Sequence, residues 1–445
     1  MYDDGLDIIS MPWLDHLRTC DPQFREELIR AWKELEPILE EAVEDGGLID
    51  RYAGEISASW KQDLDRWHPN ADPQSASLEV QVIELKQFIR QRAGKISAVL
   101  ENHGEDAGQP AAAQTTAKDS ASAGQAVPGA QPDDAAGGIC GTCWWRIDAD
   151  WNLVIGPLDG NEGTLEAWTS SAGRPWYPYM NKIRSAAFRG TVHATTCLAF
   201  FYHCYSLERI DLAGLDTSGA KMMRGMFAWC PALEELDVSA LDTSSATSMR
   251  EMFLGDYKLA NLDLSTFDFS NVSDLRCMFY RCHGLKSVTF PKNGGSAAVN
   301  MTGMFAECFA MESLDLSGFD TSKVTGMRAL FYRCHSLADL NLAGMNTSSA
   351  ASMAYMFAGC ESLTGLDLTG FDTSSTEDMS CMFMTCSNLT SPDLGSFDTS
   401  RAEMDYMFAF CPSLGSLTTG DGWKTESGRG ADTMFLGCEQ PAETK

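Results

Sequence analysis

Cysteine, histidine, methionine and a recurring aspartate are the residues of this chain whose types and spacing could do chemistry. Of 15 cysteines, nine fall in one register: Cys204, Cys230, Cys282, Cys308, Cys334, Cys360, Cys386, Cys411 and Cys438, each three residues after a phenylalanine. Asp256 interrupts this column. If the units stack, like positions lie roughly 5 Å apart, within reach of a disulfide. Stacked side chains point the same way, however, and the crossed geometry of a disulfide would distort the stack. An odd number of members also leaves one unpaired. The column therefore reads as buried free thiols acting as small apolar fillers.

The remaining candidates are weaker. Cys140-Gly141-Thr142-Cys143 is an isolated CxxC. Zinc would need two further ligands, and a redox motif would need a strand running into a helix. A structural or disulfide-forming pair is the expectation. His283 and His335 occupy near-identical contexts two units apart, roughly 10 Å, too far for one metal ion at ~2 Å from each. Fifteen of the 22 methionines lie in a Met-x-x-Met-Phe stripe, which reads as core rather than as a copper site. No catalytic triad spacing and no phosphate-binding glycine pattern is present. The chain is expected to be non-enzymatic, with no catalytic residue, cofactor or metal site.

One column does suggest binding. Asp211, Asp237, Asp263, Asp315, Asn341, Asp367 and Asp393 stand between the last two apolar residues of each putative strand, with Thr289 and Thr418 in the same register. Like charges about 5 Å apart repel by ~0.8 kcal/mol per pair even in water. Such a column must be solvated, hydrogen-bonded or screened. Two readings stand: a solvated face kept soluble by charge, and a polar, acidic recognition surface.

The elements that position these residues follow from periodicity. Met-Phe or a close variant recurs at 200, 226, 252, 278, 304, 330, 356, 382, 407 and 434, a period of 26 residues with one 25 and one 27 at the end. Within a unit, Met249, Met252, Phe253 and Asp256 have the i, i+3, i+4, i+7 spacing of a helical stripe. Leu262-Asp263-Leu264 alternates as a short strand does. Asp-Thr-Ser corners such as Asp320-Thr321-Ser322 supply side chains that bond nearby backbone N–H groups. One unit cannot bury its own stripe, but a stack can. The expectation is an α/β leucine-rich-repeat solenoid, each unit a short strand plus a short helix or 3₁₀ turn.

Around the array, residues 1–103 read as α-helical, with Leu28, Trp32 and Leu35 on one face. Residues 104–138 read as a disordered Ala/Gly/Ser/Pro linker, 139–196 as a β-rich N-terminal cap, 197–438 as the array and 439–445 as a tail. The chain of 445 residues is 44% hydrophobic and carries a net charge of −29. That charge disfavours nucleic acid and anionic membranes. No apolar run approaches the ~18 residues of a spanning helix, so membrane insertion is not expected. The acidic start Met1-Tyr2-Asp3-Asp4 does not read as an export signal.

Leu314-Asp315-Leu316-Ser317-Gly318-Phe319-Asp320-Thr321-Ser322, followed by Met327 and Cys334-His335-Ser336-Leu337, resembles the repeat of BspA-type leucine-rich repeat surface proteins. Cys140-Gly141-Thr142-Cys143-Trp144 with Leu153-Val154-Ile155 resembles the cap those proteins carry. The resemblance covers roughly residues 139–438 and departs from the pattern at Asp256, Pro392 and Gly294-Gly295-Ser296. It implies a cell-surface or secreted, adhesin-like protein with an extracellular protein partner, such as a host matrix protein. Asp21-Pro22, Trp32-x-x-Leu35, Arg66-Trp67 and Leu85-Lys86-x-Phe88-Ile89 resemble the C-terminal helices of the CotH spore-coat kinase-like family. That family's phosphate- and metal-handling residues lie upstream of the matched stretch, so nothing catalytic carries over. The second resemblance implies an alternative: the non-catalytic C-terminal remainder of a kinase-like polypeptide, truncated at its N-terminus, with a repeat array appended.

Overall fold

The apolar stripe of each unit folds as twin tight turns. In the unit at 249–256, the Met252 N–H donates to the Met249 carbonyl at 3.1 Å and the Asp256 N–H to the Phe253 carbonyl at 3.3 Å. The intervening Glu251 (φ 60°) and Gly255 (φ 77°) take the left-handed conformation. The same two positions are left-handed in the next unit, at Cys277 and Arg281, and again at Gly303 and Glu307. Each non-glycine residue there costs roughly 1–2 kcal/mol. Rung-to-rung bonding offsets it: Met249, Glu251, Phe253 and Gly255 donate their N–H groups to Asp274, Arg276, Met278 and Tyr280 of the next rung at 2.9–3.0 Å.

These observations come from a computed structural model that describes residues 131–292, 295, 297–425 and 433–438, with 442–444 as backbone. The architecture is a solenoid with a 26-residue period. Where a short helix or 3₁₀ turn is expected in each unit, the structure has the twin turns. An i, i+3, i+4, i+7 pattern fits both, because two successive four-residue turns return the chain to one face at the same positions. Among the described residues only two single-turn 3₁₀ helices occur, Ser171–Gly173 and Tyr177–Tyr179, both before the first rung. The helical reading of residues 1–103 lies outside the described residues, as does most of the expected linker.

The turns stack a phenylalanine ladder. From Phe201 through Phe227, Phe253, Phe279, Phe305, Phe331, Phe357, Phe383 and Phe408 to Phe435, neighbouring ring centroids lie 5.1–5.8 Å apart and within 16° of parallel. Methionines and the cysteine column, both fully buried over most of their length, flank it. Beside the ladder a chain of parallel bridges runs unbroken from Met222 through Ser248, Asp274, Asn300, Gly326, Ser352 and Asp378 to Glu403. At the Asp-Thr-Ser corners the buried threonine ties one rung to the next. The Thr321 hydroxyl donates to the Asn346 carbonyl at 2.9 Å and accepts the Asn346 N–H at 2.8 Å. Thr347 and Thr373 do the same with Asp372 and Asp398.

Strands occupy the opposite limb of most units. Before the array come β1 (Ala136–Cys140), β2 (Cys143–Ile147), β3 (Asn152–Pro157), β4 (Glu162–Thr164), β5 (Ser185–Phe188) and β6 (Thr191–His193). Then follow β7 (Arg209–Asp211), β8 (Leu215–Asp216), β9 (Asn261–Asp263), β10 (Ser287–Thr289), β11 (Ser313–Asp315), β12 (Asp339–Asn341), β13 (Asp393–Leu394), β14 (Ser416–Thr419) and β15 (Ala442–Thr444). One sheet runs β1-β2-β3-β5-β7, so an antiparallel meander passes into the parallel face of the array. Beyond β7 the face is segmented into β9-β10, β11-β12 and β13-β14-β15.

The first rung lacks a predecessor, so three of its carbonyls would be orphaned. In the regular array a preceding rung bonds Arg224, Met226 and Ala228 at their carbonyls; one period earlier these positions are Leu198, Phe200 and Tyr202. Side chains supply the missing donors. Trp168 Nε1 reaches the Leu198 carbonyl at 2.7 Å, Trp176 Nε1 the Phe200 carbonyl at 3.0 Å, and Arg174 Nη2 the Tyr202 carbonyl at 2.5 Å. Arg174 also donates to the Ala199 carbonyl and is buried.

Candidate binding face

All seven residues of the acidic column are exposed on the strand limb. Each has a local duty as well. Oδ1 of Asp211, Asp237, Asp263, Asp315, Asn341, Asp367 and Asp393 accepts the backbone N–H two residues on, at 2.9–3.1 Å. This turns the chain out of the strand. Hydrogen bonds from Ser239, Ser317 and Thr369 hold the carboxyls of Asp237, Asp315 and Asp367 below the usual carboxylate value. For Asp263 the Ser265 backbone N–H is the main cause. Asp237, Asp263, Asp315 and Asp367 are therefore carboxylates at neutral pH.

The register shows how like charges are kept apart. In the paired strands each column residue faces a neutral partner: Asp211 beside Ala187, Asp263 beside Thr289, Asp315 beside Asn341 and Asp393 beside Thr418. Asp237 has an aspartate on both neighbouring rungs, Asp211 and Asp263, and Asp367 has one on a single side, Asp393. There the ladder opens. Residues 364–368 form no strand, and residues 234–238 form none although strands stand on the rungs before and after them. An open groove of about 1210 Å³ occupies this part of the face, lined by Glu208, Arg209, Glu234, Glu235, Asp237 and Asp263 among others. Lys258 also lines it but is engaged with Glu234 at 2.9 Å.

The other candidates take structural places. The column cysteines are free thiols, each interior one donating its S–H to a phenylalanine carbonyl of the preceding rung, as Cys334 does to Phe305 at 3.1 Å. Burial pushes the Cys334 and Cys386 thiols up to about 12. Asp256 fills the same place, with Oδ1 accepting the Cys230 N–H at 2.8 Å. Its Oδ2 is buried without a partner, and desolvation raises its carboxyl well above the usual value. Cys140 and Cys143 are cross-strand partners about the two-residue turn between β1 and β2, both buried thiols. His283 and His335 stack on opposite sides of Phe309, at centroid distances of 4.4 and 4.9 Å. Sequence reasoning missed the groove, although three successive aspartates at 211, 237 and 263 were its signal.

Among solved structures, the chain is similar to a leucine-rich repeat protein from Eubacterium ventriosum ATCC 27560, at 15% identity and a TM-score of 0.32, covering 67% of this chain and 93% of that one. It is also similar to a leucine-rich cell surface protein from Faecalibacterium prausnitzii A2-165, at 14% identity and a TM-score of 0.23, covering 70% and 100%. The pneumococcal vaccine antigen PcpA matches at 14% identity and a TM-score of 0.27, over 64% of this chain and 82% of its own. No curated protein matches the chain. Among the described residues no helix is long and apolar enough to cross a membrane. The repeat array itself, over residues 195–307, 299–420 and 366–443, matches the family described as "Mycoplasma protein of unknown function, DUF285", and the chain belongs to that family.

Proposed function

We propose that the chain is a non-enzymatic surface protein whose strand face captures an extracellular protein through a basic segment of that partner. The groove at the open rung carries this reading. Glu208, Glu234, Glu235, Asp237 and Asp263 line it against Arg209 and Lys258, so it offers a cationic partner excess negative charge in a concave site. The likeness of the repeat to BspA-type surface proteins supports a partner outside the cell, and a host matrix protein such as fibronectin is the first to test. Complementary charge acts mainly on the association rate and is screened beyond ~8 Å at physiological salt.

The experiment is a kinetic binding measurement of the full chain on immobilised fibronectin between 50 and 500 mM salt (roughly 14 to 4 Å of screening length), repeated with Asp237→Asn/Asp263→Asn and with Asp315→Asn/Asp367→Asn. Association should slow as salt rises, and the first pair should weaken binding more than the second. Each asparagine keeps the oxygen that bonds the following turn, so the fold should survive. Unchanged association for both pairs would reduce the column to a solvated face.

A further inference from the structure

One corner of the strand face departs from its neighbours at several positions together. Thr289 stands in the aspartate register, Pro291 where Ser317 stands one rung later, and Asn293 in the register of Phe319. The regular corner needs a carboxylate that accepts the N–H two residues on, as Asp263 and Asp315 do for Ser265 and Ser317. Here that carboxylate is replaced, and Pro291 has no N–H to give. A pocket of about 460 Å³ opens at this corner, within the ~300–1,000 Å³ of ligand pockets. Thr289, Phe290, Pro291, Lys292, Asp315 and Phe319 are among the residues that line it. Phe290 and Phe319 supply apolar walls, their ring centroids 5.7 Å apart and edge to face. Lys292 and Asp315 are exposed, so one charge of each sign stands at the mouth. Thr289 also lines the acidic groove, so groove and pocket adjoin.

We infer that the pocket takes an aromatic side chain, tyrosine or tryptophan, from the same basic segment that occupies the groove. This rests on the reading of the groove given above. An aromatic side chain buries about 150–250 Å² and still carries a polar edge for the wet side. That matches phenylalanine walls beneath a charged mouth. The Asp315 carboxylate can accept from a phenol O–H or an indole N–H, and the Lys292 ammonium suits a ring face. A carboxylate in the pocket would be opposed by Asp315 and a second cation by Lys292. A purely aliphatic side chain would offer neither charge a partner. The spacing follows from the register. Asp237 and the pocket are two to three rungs apart, about 10–14 Å at the ~4.8 Å separation of paired strands. An extended chain covers that distance in three or four residues at ~3.3 Å each. The partner's motif is therefore a lysine or arginine with an aromatic residue three or four positions away. The aromatic residue is the anchor that fixes the segment in place.

The test uses the full chain and three fluorescein-labelled peptides in a Gly/Ser background at low salt. The first carries a run of lysines with a tyrosine four residues beyond the last. The second has alanine for that tyrosine, and the third keeps the tyrosine but has no lysine. Fluorescence anisotropy should show the first binding about tenfold or more tighter than either of the others. Ser317 is exposed and lines the pocket. Ser317→Trp should fill the space and bring the first peptide down to the affinity of its alanine copy. The peptide comparison on the unaltered chain needs no variant to fold. Equal affinity of the tyrosine and alanine peptides would overturn the pocket and leave the groove reading standing. Failure of both lysine peptides to bind would overturn the groove reading, and this inference with it. Equal binding by the lysine-free peptide would also overturn it, since the pocket would then act alone.

Discussion

The two limbs of each rung are built from the same backbone chemistry, yet one is continuous and the other is interrupted. On the turn limb, ten phenylalanine rings stack without a gap and the parallel bridges run unbroken from Met222 to Glu403. On the strand limb, pairing stops at residues 234–238 and the face is divided into short sheets. The difference follows from what each limb repeats. Identical apolar side chains gain from stacking on one another, because each removes its neighbour's surface from water. Identical charges lose by it, and the column aspartates that do pair, Asp211, Asp263, Asp315 and Asp393, each stand beside a neutral residue. Repetition holds the turn limb together, and it leaves the strand limb open where a partner could bind.

The largest test of this contrast removes one ring. Phe305→Ala should cost about 3–5 kcal/mol in urea unfolding, since Phe305 touches Phe279 and Phe331 in a sealed stack. A loss below about 1 kcal/mol would mean that the ladder is not what holds the limb. The reverse change restores uniformity. Asp256→Cys should stabilise the array by about 1–3 kcal/mol at pH 7, by removing a buried oxygen without a partner. The gain should depend on pH. The Asp256 carboxyl binds its proton more tightly in the folded chain than in the unfolded one. Its contribution is therefore most favourable below the ordinary carboxylate range and declines as pH rises toward the raised folded value. Asp256→Cys should accordingly help more at pH 7 than at pH 4, and an equal gain at both would contradict a buried neutral acid.

Smaller effects sharpen the comparison at its margins. Thr321→Val keeps the shape of the corner but deprives the Asn346 N–H and carbonyl of their partner. A loss of about 1–2 kcal/mol in thermal unfolding is expected; no loss would separate the corner from the continuous side. Asp315→Asn with Asp367→Asn should shift stability by no more than about 0.5 kcal/mol, because both positions are exposed and asparagine keeps the turn bond. A drop of several kcal/mol would show that the face is structural after all.

Much of this architecture is legible before any coordinates. The 26-residue register of Met-Phe and Cys fixes the stack, and the i, i+3, i+4, i+7 spacing of Met249, Met252, Phe253 and Asp256 fixes what points inward. The spacing does not separate a helix from twin turns, and the left-handed residues gave little warning, being Glu251, Trp229 and Tyr355 as often as glycine. Their conformation is set by hydrogen bonds to the next rung, which no local pattern encodes. The acidic column was legible as a list of exposed residues. Its division into paired and open rungs appears only once the register is known. Trp168, Arg174 and Trp176 lie outside the repeat altogether, so periodicity could not reveal them as its terminal donors.

Those three donors read carbonyl oxygens, and carbonyl oxygens are the same on every rung. The start of the array is thus a socket that recognises backbone geometry and is largely indifferent to which unit is plugged into it. Excising one whole period from the interior, for instance residues 313–338, leaves that socket and the far end unaltered and brings matching surfaces together across the joint. Length is therefore an adjustable quantity in this molecule. A gene that gains or loses material in multiples of 26 codons would change how far the open face extends, while any other increment would throw the downstream stack out of phase.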